Sequence, residues 1–208
     1  MSAAPADAFT LAHWRRSVAE LYAEVRATAD TDPAGAAARF REMRERLFRE
    51  HPQSPIPPAR RRAWPGFAWH PYDPAWRIVA AVDRDVARTG FEITLADDGI
   101  LRCVRAGLVR FAAGGEAAAL TAYWLEGYGG GLWLPFGDAS NGRGTYGGGR
   151  YLYDTIKGAD LGAGPDGCVL DFNYAYNPSC AYDARWSCPL SPPENRLSFA
   201  VDAGERVA

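Results

Sequence analysis

Apolar positions change period along this chain of 208 residues. In the first fifty residues they recur at helical spacing. Trp14, Val18, Leu21, Tyr22 and Val25 share one face with charges between them, which predicts a helix. Thr10 is a candidate cap for it. Asp32-Pro33 predicts the start of a second helix, with a capping aspartate and then a proline whose missing N–H costs nothing there. Phe40, Met43 and Leu47 give that helix an apolar face, and Arg39, Arg41, Glu42, Arg44, Glu45 and Arg46 read as its solvated side. His51-Pro52 ends it, because a residue before proline is pushed out of the α region.

Residues 51–75 carry seven prolines together with Trp64, Phe67, Trp69 and Tyr72. So many aromatics predict an ordered, extended connector laid along the body rather than a flexible linker. From residue 76 the period drops to two. Phe91, Ile93 and Leu95 alternate with polar or small residues, and Asp97-Asp98-Gly99 is a hairpin turn signal leading into Leu101, Cys103 and Arg105. Ala106-Gly107 and Gly114-Gly115 read as further turns. Residues 120–126, 132–136, 169–174 and 197–201 read as later strands. The expected fold is therefore α+β and mainly β: an antiparallel β barrel or sandwich with two N-terminal helices packed on it. The expected organisation is a helical segment over 1–50, the connector over 51–75 and a β-rich body over 76–208, one domain overall.

Composition supports a packed body. The chain is 48% hydrophobic and 12% aromatic, with seven Trp and ten Tyr, which suits strands and lined pockets. A net charge of −2 offers no basic field for a nucleic-acid backbone, and Arg60-Arg61-Arg62 reads as a solvated loop. No apolar run approaches the ~18–20 residues that span a bilayer. Residues 1–7 lack the basic and apolar regions of a secretory signal. The expectation is a cytoplasmic protein without nucleic-acid or membrane partners. In a reducing compartment Cys103, Cys168, Cys180 and Cys188 are then free thiols or ligands rather than disulfides.

Candidate chemistry gathers between Pro135 and Arg196. Gly142 to Gly149 is glycine-rich and runs into Arg150, so backbone N–H groups and a guanidinium are available to an anion. The run lacks the Gly-Lys-Ser/Thr ending of a phosphate loop, and the alternative is a hairpin whose arginine pairs with a buried carboxylate. In a strand Asp171, Asn173 and Ala175 share one face. Asp171 is a candidate base or a partner for Arg150. Asn173 and Asn177 are candidates to orient a substrate or to close turns. Asp138 is either a ligand contact or a turn residue. Cys180 and Cys188 are not spaced as a Cys-x-x-Cys motif, and they remain structural, metal-binding or nucleophilic. His51 and Ser54 lie close in sequence, but no Gly-x-Ser-x-Gly elbow accompanies them, and a helix-ending role is favoured.

Four stretches resemble a bacterial and archaeal family called domain of unknown function 1684. They are His51-Pro52-Gln53-Ser54-Pro55, Pro135-Phe136-Gly137-Asp138, Thr145 to Leu152, and the block from Asp171 through Asn195-Arg196-Leu197 to Ala203-Gly204-Glu205. The resemblance covers roughly residues 40–206. It implies no activity. It marks Arg150, Asp171, Asn173, Asn177, Cys180, Cys188 and Asn195 as matching the family pattern.

The reading favoured by these residues is a small-molecule binder or enzyme with a pocket built from the C-terminal block. Arg150, Asp171 and Asn173 are its candidate catalytic groups, and Tyr146, Tyr176, Asn177, Asn195 and Trp186 its candidate ligand contacts. One alternative is a metal- or thiol-dependent protein using Cys180 and Cys188. Another is a non-enzymatic interaction module using the connector and helices. No residue pattern identifies a cofactor, and a flavin would rest on fold analogy alone.

Overall fold

The computed structural model describes residues 5–95, 99–164 and 167–207. Helix α1 spans Pro5–Thr28 and turns Leu21, Tyr22 and Val25 inward. Thr10 lies inside α1 rather than at its cap, and its hydroxyl donates to the Asp7 carbonyl at 3.0 Å. Helix α2 spans Pro33–Glu50. The Asp32 carboxylate caps it by accepting the Gly35 N–H at 3.0 Å, and extended His51 ends it. Arg44 departs from the expected solvated side of α2, because it is buried. Phe40, Arg44 and Phe48 stand four residues apart and so share the inward face.

The connector joins α2 to the first strand. It forms the short helix α3, Pro58–Arg61, and an aromatic interlock in which Phe67 meets Trp64 at 4.7 Å and Phe48 at 4.8 Å between ring centres. The strands that follow are β1 Arg77–Ala80, β2 Val82–Asp83, β3 Gly90–Leu95, β4 Gly99–Ala113, β5 Glu116–Leu125, β6 Gly131–Phe136, β7 Arg150–Asp154, β8 Ala163–Gly164 and β9 Gly167–Asp171. Among the described residues they make two antiparallel sheets. One runs β2-β4-β5-β6-β7 with β3 also on β4, and the other runs β1-β9-β8. Asp97 and Asp98 of the expected β3–β4 turn lie outside the described residues. Ala106-Gly107 makes no turn. Strand β4 continues through it with a register shift, so its first half pairs with β3 and its second half with β2.

The result is a mixed α+β fold with a β-sheet core, and among the described residues no closed barrel forms. The outer edge of β7 shows why. Tyr151 on that edge exchanges backbone hydrogen bonds with Tyr176, in the irregular C-terminal block, at 2.9 and 3.1 Å. That block contains Pro178, Pro189, Pro192 and Pro193, which have no N–H to extend a ladder. Residues 197–201 likewise form no strand. They are tied by Leu197 N–H to Gly137 O at 2.8 Å and Ala139 N–H to Phe199 O at 3.0 Å. Tyr22 and Phe40 from the helices share one core with Leu120, Phe136, Leu170 and Phe172 from the sheet side. No described helix is long and apolar enough to cross a membrane.

Candidate functional site

Arg150 opens β7 with its side chain wholly inside the protein. Gly149 before it adopts φ +86°, and a Cβ there would lie 2.6 Å from the Phe136 carbonyl oxygen, so only glycine fits. The guanidinium donates to Asp138 Oδ2 at 2.9 Å and to the carbonyls of Val201 at 3.0 Å, Glu205 at 3.2 Å and Ala203. These carbonyls belong to alternate residues of one short C-terminal segment that bends at Gly204. Asp138 receives the Ser140 N–H on its other oxygen at 2.7 Å. Burial pulls the Arg150 pKa down while Asp138 pulls it back up. The carboxylate that pairs with Arg150 is thus Asp138 and not Asp171.

Asp171 and Asn173 do not share a strand face. Strand β9 ends at Asp171, and residues 172–174 form a 3-10 turn capped by the Asp171 carboxylate, which accepts the Asn173 N–H at 3.0 Å and its side-chain amide at 2.9 Å. Burial pushes the Asp171 carboxyl up to about 6, and the Asn173 hydrogen bonds and Arg77, 3.7 Å away, oppose the rise. The Asn173 amide also pairs with both backbone groups of Asp73, at 2.9 and 2.8 Å. Asn195 treats Thr121 the same way at 2.8 and 2.9 Å, and donates to Pro135 O at 2.8 Å. Both asparagines stand in for a peptide group beside a strand or turn that lacks a partner strand.

A second buried arginine–carboxylate pair lies elsewhere. Gly204 adopts φ +78°, and a Cβ on it would come 2.6 Å from Phe172 O and 2.7 Å from Ala175 O, so glycine lets the chain turn Glu205 inward. The Glu205 carboxylate accepts from Arg44 at 3.3 Å, from the Asn177 N–H at 3.2 Å, from the Asn177 amide at 2.9 Å and from the Tyr182 hydroxyl. The Arg44 guanidinium sits over the rings of Phe48, Phe67 and Tyr176 at 4.5 to 4.9 Å, a cation–π cage. Burial pushes the Glu205 carboxyl above its usual range and Arg44 opposes it.

This second cluster borders open space on two sides. A cavity of about 60 Å³ is lined by Tyr22, Arg44, Asp154, Tyr176, Asn177 and Cys188 among others. The buried Tyr22 hydroxyl, Arg44 Nε and Asn177 Oδ1 have no hydrogen-bond partner among the described residues. On the other side lies a cleft of about 500 Å³ between the connector and the C-terminal block, lined by Arg60, Trp64, Phe67, Asn177, Tyr182 and Glu205 among others. Asn177 borders both spaces.

Of the other candidate contacts, Tyr176 lines the cavity, and Trp186 donates its indole N–H to Pro55 O at 3.2 Å. Tyr146 lies apart from the cleft lining, with its hydroxyl 3.5 Å from Cys180 Sγ. Cys180 and Cys188 come together, the Cys180 N–H donating to Cys188 Sγ at 3.3 Å. Among the described residues no group of three His, Cys, Asp or Glu side chains is placed to hold a metal ion. His51 and Ser54 close the end of α2. The Gln53 N–H donates to His51 Nδ1 at 3.0 Å, and Ser54 donates to Phe48 O.

Residues 62–206 match a family model described as a protein of unknown function, DUF1684. The chain belongs to that family. The DUF1684 match includes Trp64, Arg150, Asn177, Cys180, Cys188 and Glu205, and it leaves out Arg44 and helix α1. The chain is also similar to an uncharacterized protein of Haloarcula marismortui whose solution NMR structure is known. The two are 34% identical, with a TM-score of 0.60, over 88% of this chain and 97% of that one. No curated protein matches the chain.

Sequence reasoning passed over Arg44, Tyr182 and Glu205 as site residues. The spacing of Phe40, Arg44 and Phe48 is the signal for Arg44. Glu205 stands in the Ala203-Gly204-Glu205 triplet of the family pattern, beside a glycine that a turn requires.

Proposed function

We propose that this protein binds a small molecule in the cleft between the connector and the C-terminal block, and that the ligand is a flat ring compound carrying a hydrogen-bond donor. The observation that carries the reading is the aromatic wall of this cleft beside Asn177, whose buried Oδ1 has no partner among the described residues. Leaving such an acceptor unmatched costs about 1–3 kcal/mol, and a donor from a ligand would recover it. Trp64, Phe67 and Tyr182 supply ring faces, and the cleft's volume of about 500 Å³ is of the size that holds small molecules. Arg44 and Glu205 hold Asn177 and Tyr182 in place rather than touching the ligand first. A reducing, cytoplasmic setting suits this reading, since all four cysteines are unpaired.

The test is native mass spectrometry of freshly purified protein, followed by thermal-shift titration with heterocycles that carry ring N–H groups. A copurified or added ring compound should raise the melting temperature of the wild type, and Trp64→Ala and Asn177→Leu should each abolish the rise. An equal rise in Trp64→Ala would move the site elsewhere. The absence of any bound species and of any shift would end the reading.

A further inference from the structure

The four cysteines fall into two environments. Cys103 and Cys168 are buried in the sheets, and burial pushes each thiol up to about 11. Such thiols carry almost no thiolate at neutral pH and are shielded from reagents. Cys180 and Cys188 are only partly buried and lie against each other. Cys180 Sγ receives the Tyr146 hydroxyl at 3.5 Å and a hydrogen bond from the Cys188 thiol. The Cys188 and Tyr146 donors, with the positive charge of Lys157 nearby, favour the Cys180 thiolate and lower its pKa, while the neighbouring sulfur drives Cys188 upward. Cys188 also lines an open groove with Phe91, Ile93, Leu190 and Pro192, and Cys180 beside it is itself partly exposed.

We propose that Cys180 and Cys188 are a redox pair that exchanges with low-molecular-weight disulfides, Cys180 attacking and Cys188 resolving. In the first step the Cys180 thiolate attacks one sulfur of the disulfide. A Cys180–S–S–R bond forms, the reagent's S–S bond breaks, and one thiol leaves as its thiolate. In the second step Cys188 loses its proton to solvent or to that thiolate and attacks Cys180 Sγ. The intramolecular disulfide forms and the second small thiol leaves. The two protein thiols are oxidised, and the reagent is reduced to two thiols. This pairing is independent of the cleft and its ligand.

Reduced full-length protein, incubated without oxygen with glutathione disulfide and then alkylated, gives the test by intact mass and peptide mapping. The expected product has lost the mass of two hydrogens and links Cys180 to Cys188. Cys188→Ser should stop at glutathione on Cys180, and Cys180→Ser should give neither product. In the wild type, Cys180 should alkylate about ten-fold or more faster than Cys103 and Cys168 at neutral pH. Wild-type protein that stays fully reduced, or that carries glutathione on Cys188 instead, would overturn the proposal. The wild-type map decides this even if a serine variant fails to fold.

Discussion

The protein buries two arginine–carboxylate pairs and uses them differently. Arg150 and Asp138 have no exposed surface, and the arginine ties three backbone carbonyls of the C-terminal segment to the end of β6 and the start of β7. Arg44 and Glu205 are buried almost as deeply, yet their cluster borders a cavity and a cleft, and its Asn177 has an unmatched acceptor. A buried charge pair is by itself weak evidence for a site, because burial of ions is expensive and tolerated for structural reasons as well. What separates the two is the company each pair keeps: three backbone carbonyls and the Phe136 ring around Arg150, and three rings beside a cavity and a cleft around Arg44.

The sharpest way to break this comparison is to replace each arginine by methionine and follow urea unfolding. Arg150→Met strands the Asp138 charge and three carbonyls, and should cost about 3–5 kcal/mol. Arg44→Met should cost less, about 1–3 kcal/mol, since Glu205 keeps donors from Asn177 and Tyr182. Equal costs would erase the distinction.

Asp171, another buried carboxylate, extends the comparison to pH. Its carboxyl rises from 3.8 in the unfolded chain to about 6 in the fold. Between these values the folded state holds a proton that the unfolded chain has released. Stability therefore falls as pH rises through that window, by about 3 kcal/mol once above it. Asp171→Asn should remove that fall, measured as the difference in unfolding free energy between acid and neutral pH. A slope that persists in Asp171→Asn would assign it to another group.

The smallest effect belongs to Tyr146, which is half-buried beside Cys180. Tyr146→Phe should slow alkylation of Cys180 several-fold and leave unfolding free energy within about 0.5 kcal/mol of wild type. A large loss of stability would place Tyr146 with the braced residues instead.

The helices and most strands were legible in the chain because their signals are local. Asp32-Pro33 and the alternation of Phe91, Ile93 and Leu95 depend on neighbours alone. The block after Asp171 was legible as unusual but not as a shape. Its order comes from side chains that replace missing backbone partners, as Asn195 does for Thr121, and such pairings span many residues. Arg150 was readable as an arginine seeking a carboxylate. Choosing Asp138 over Asp171 required knowing which turn folds back. Arg44 was missed because charge was read as exposure even where spacing placed it between Phe40 and Phe48.

The alternating carbonyls at 201, 203 and 205 also set an order of synthesis. The strand that carries Arg150 is made some fifty residues before the segment that receives it. Until residue 205 has left the ribosome, the Arg150 guanidinium of a growing chain has Asp138 but not all three of its carbonyl acceptors. The contacts that pin this C-terminal segment against the sheet therefore form only after translation has passed that point.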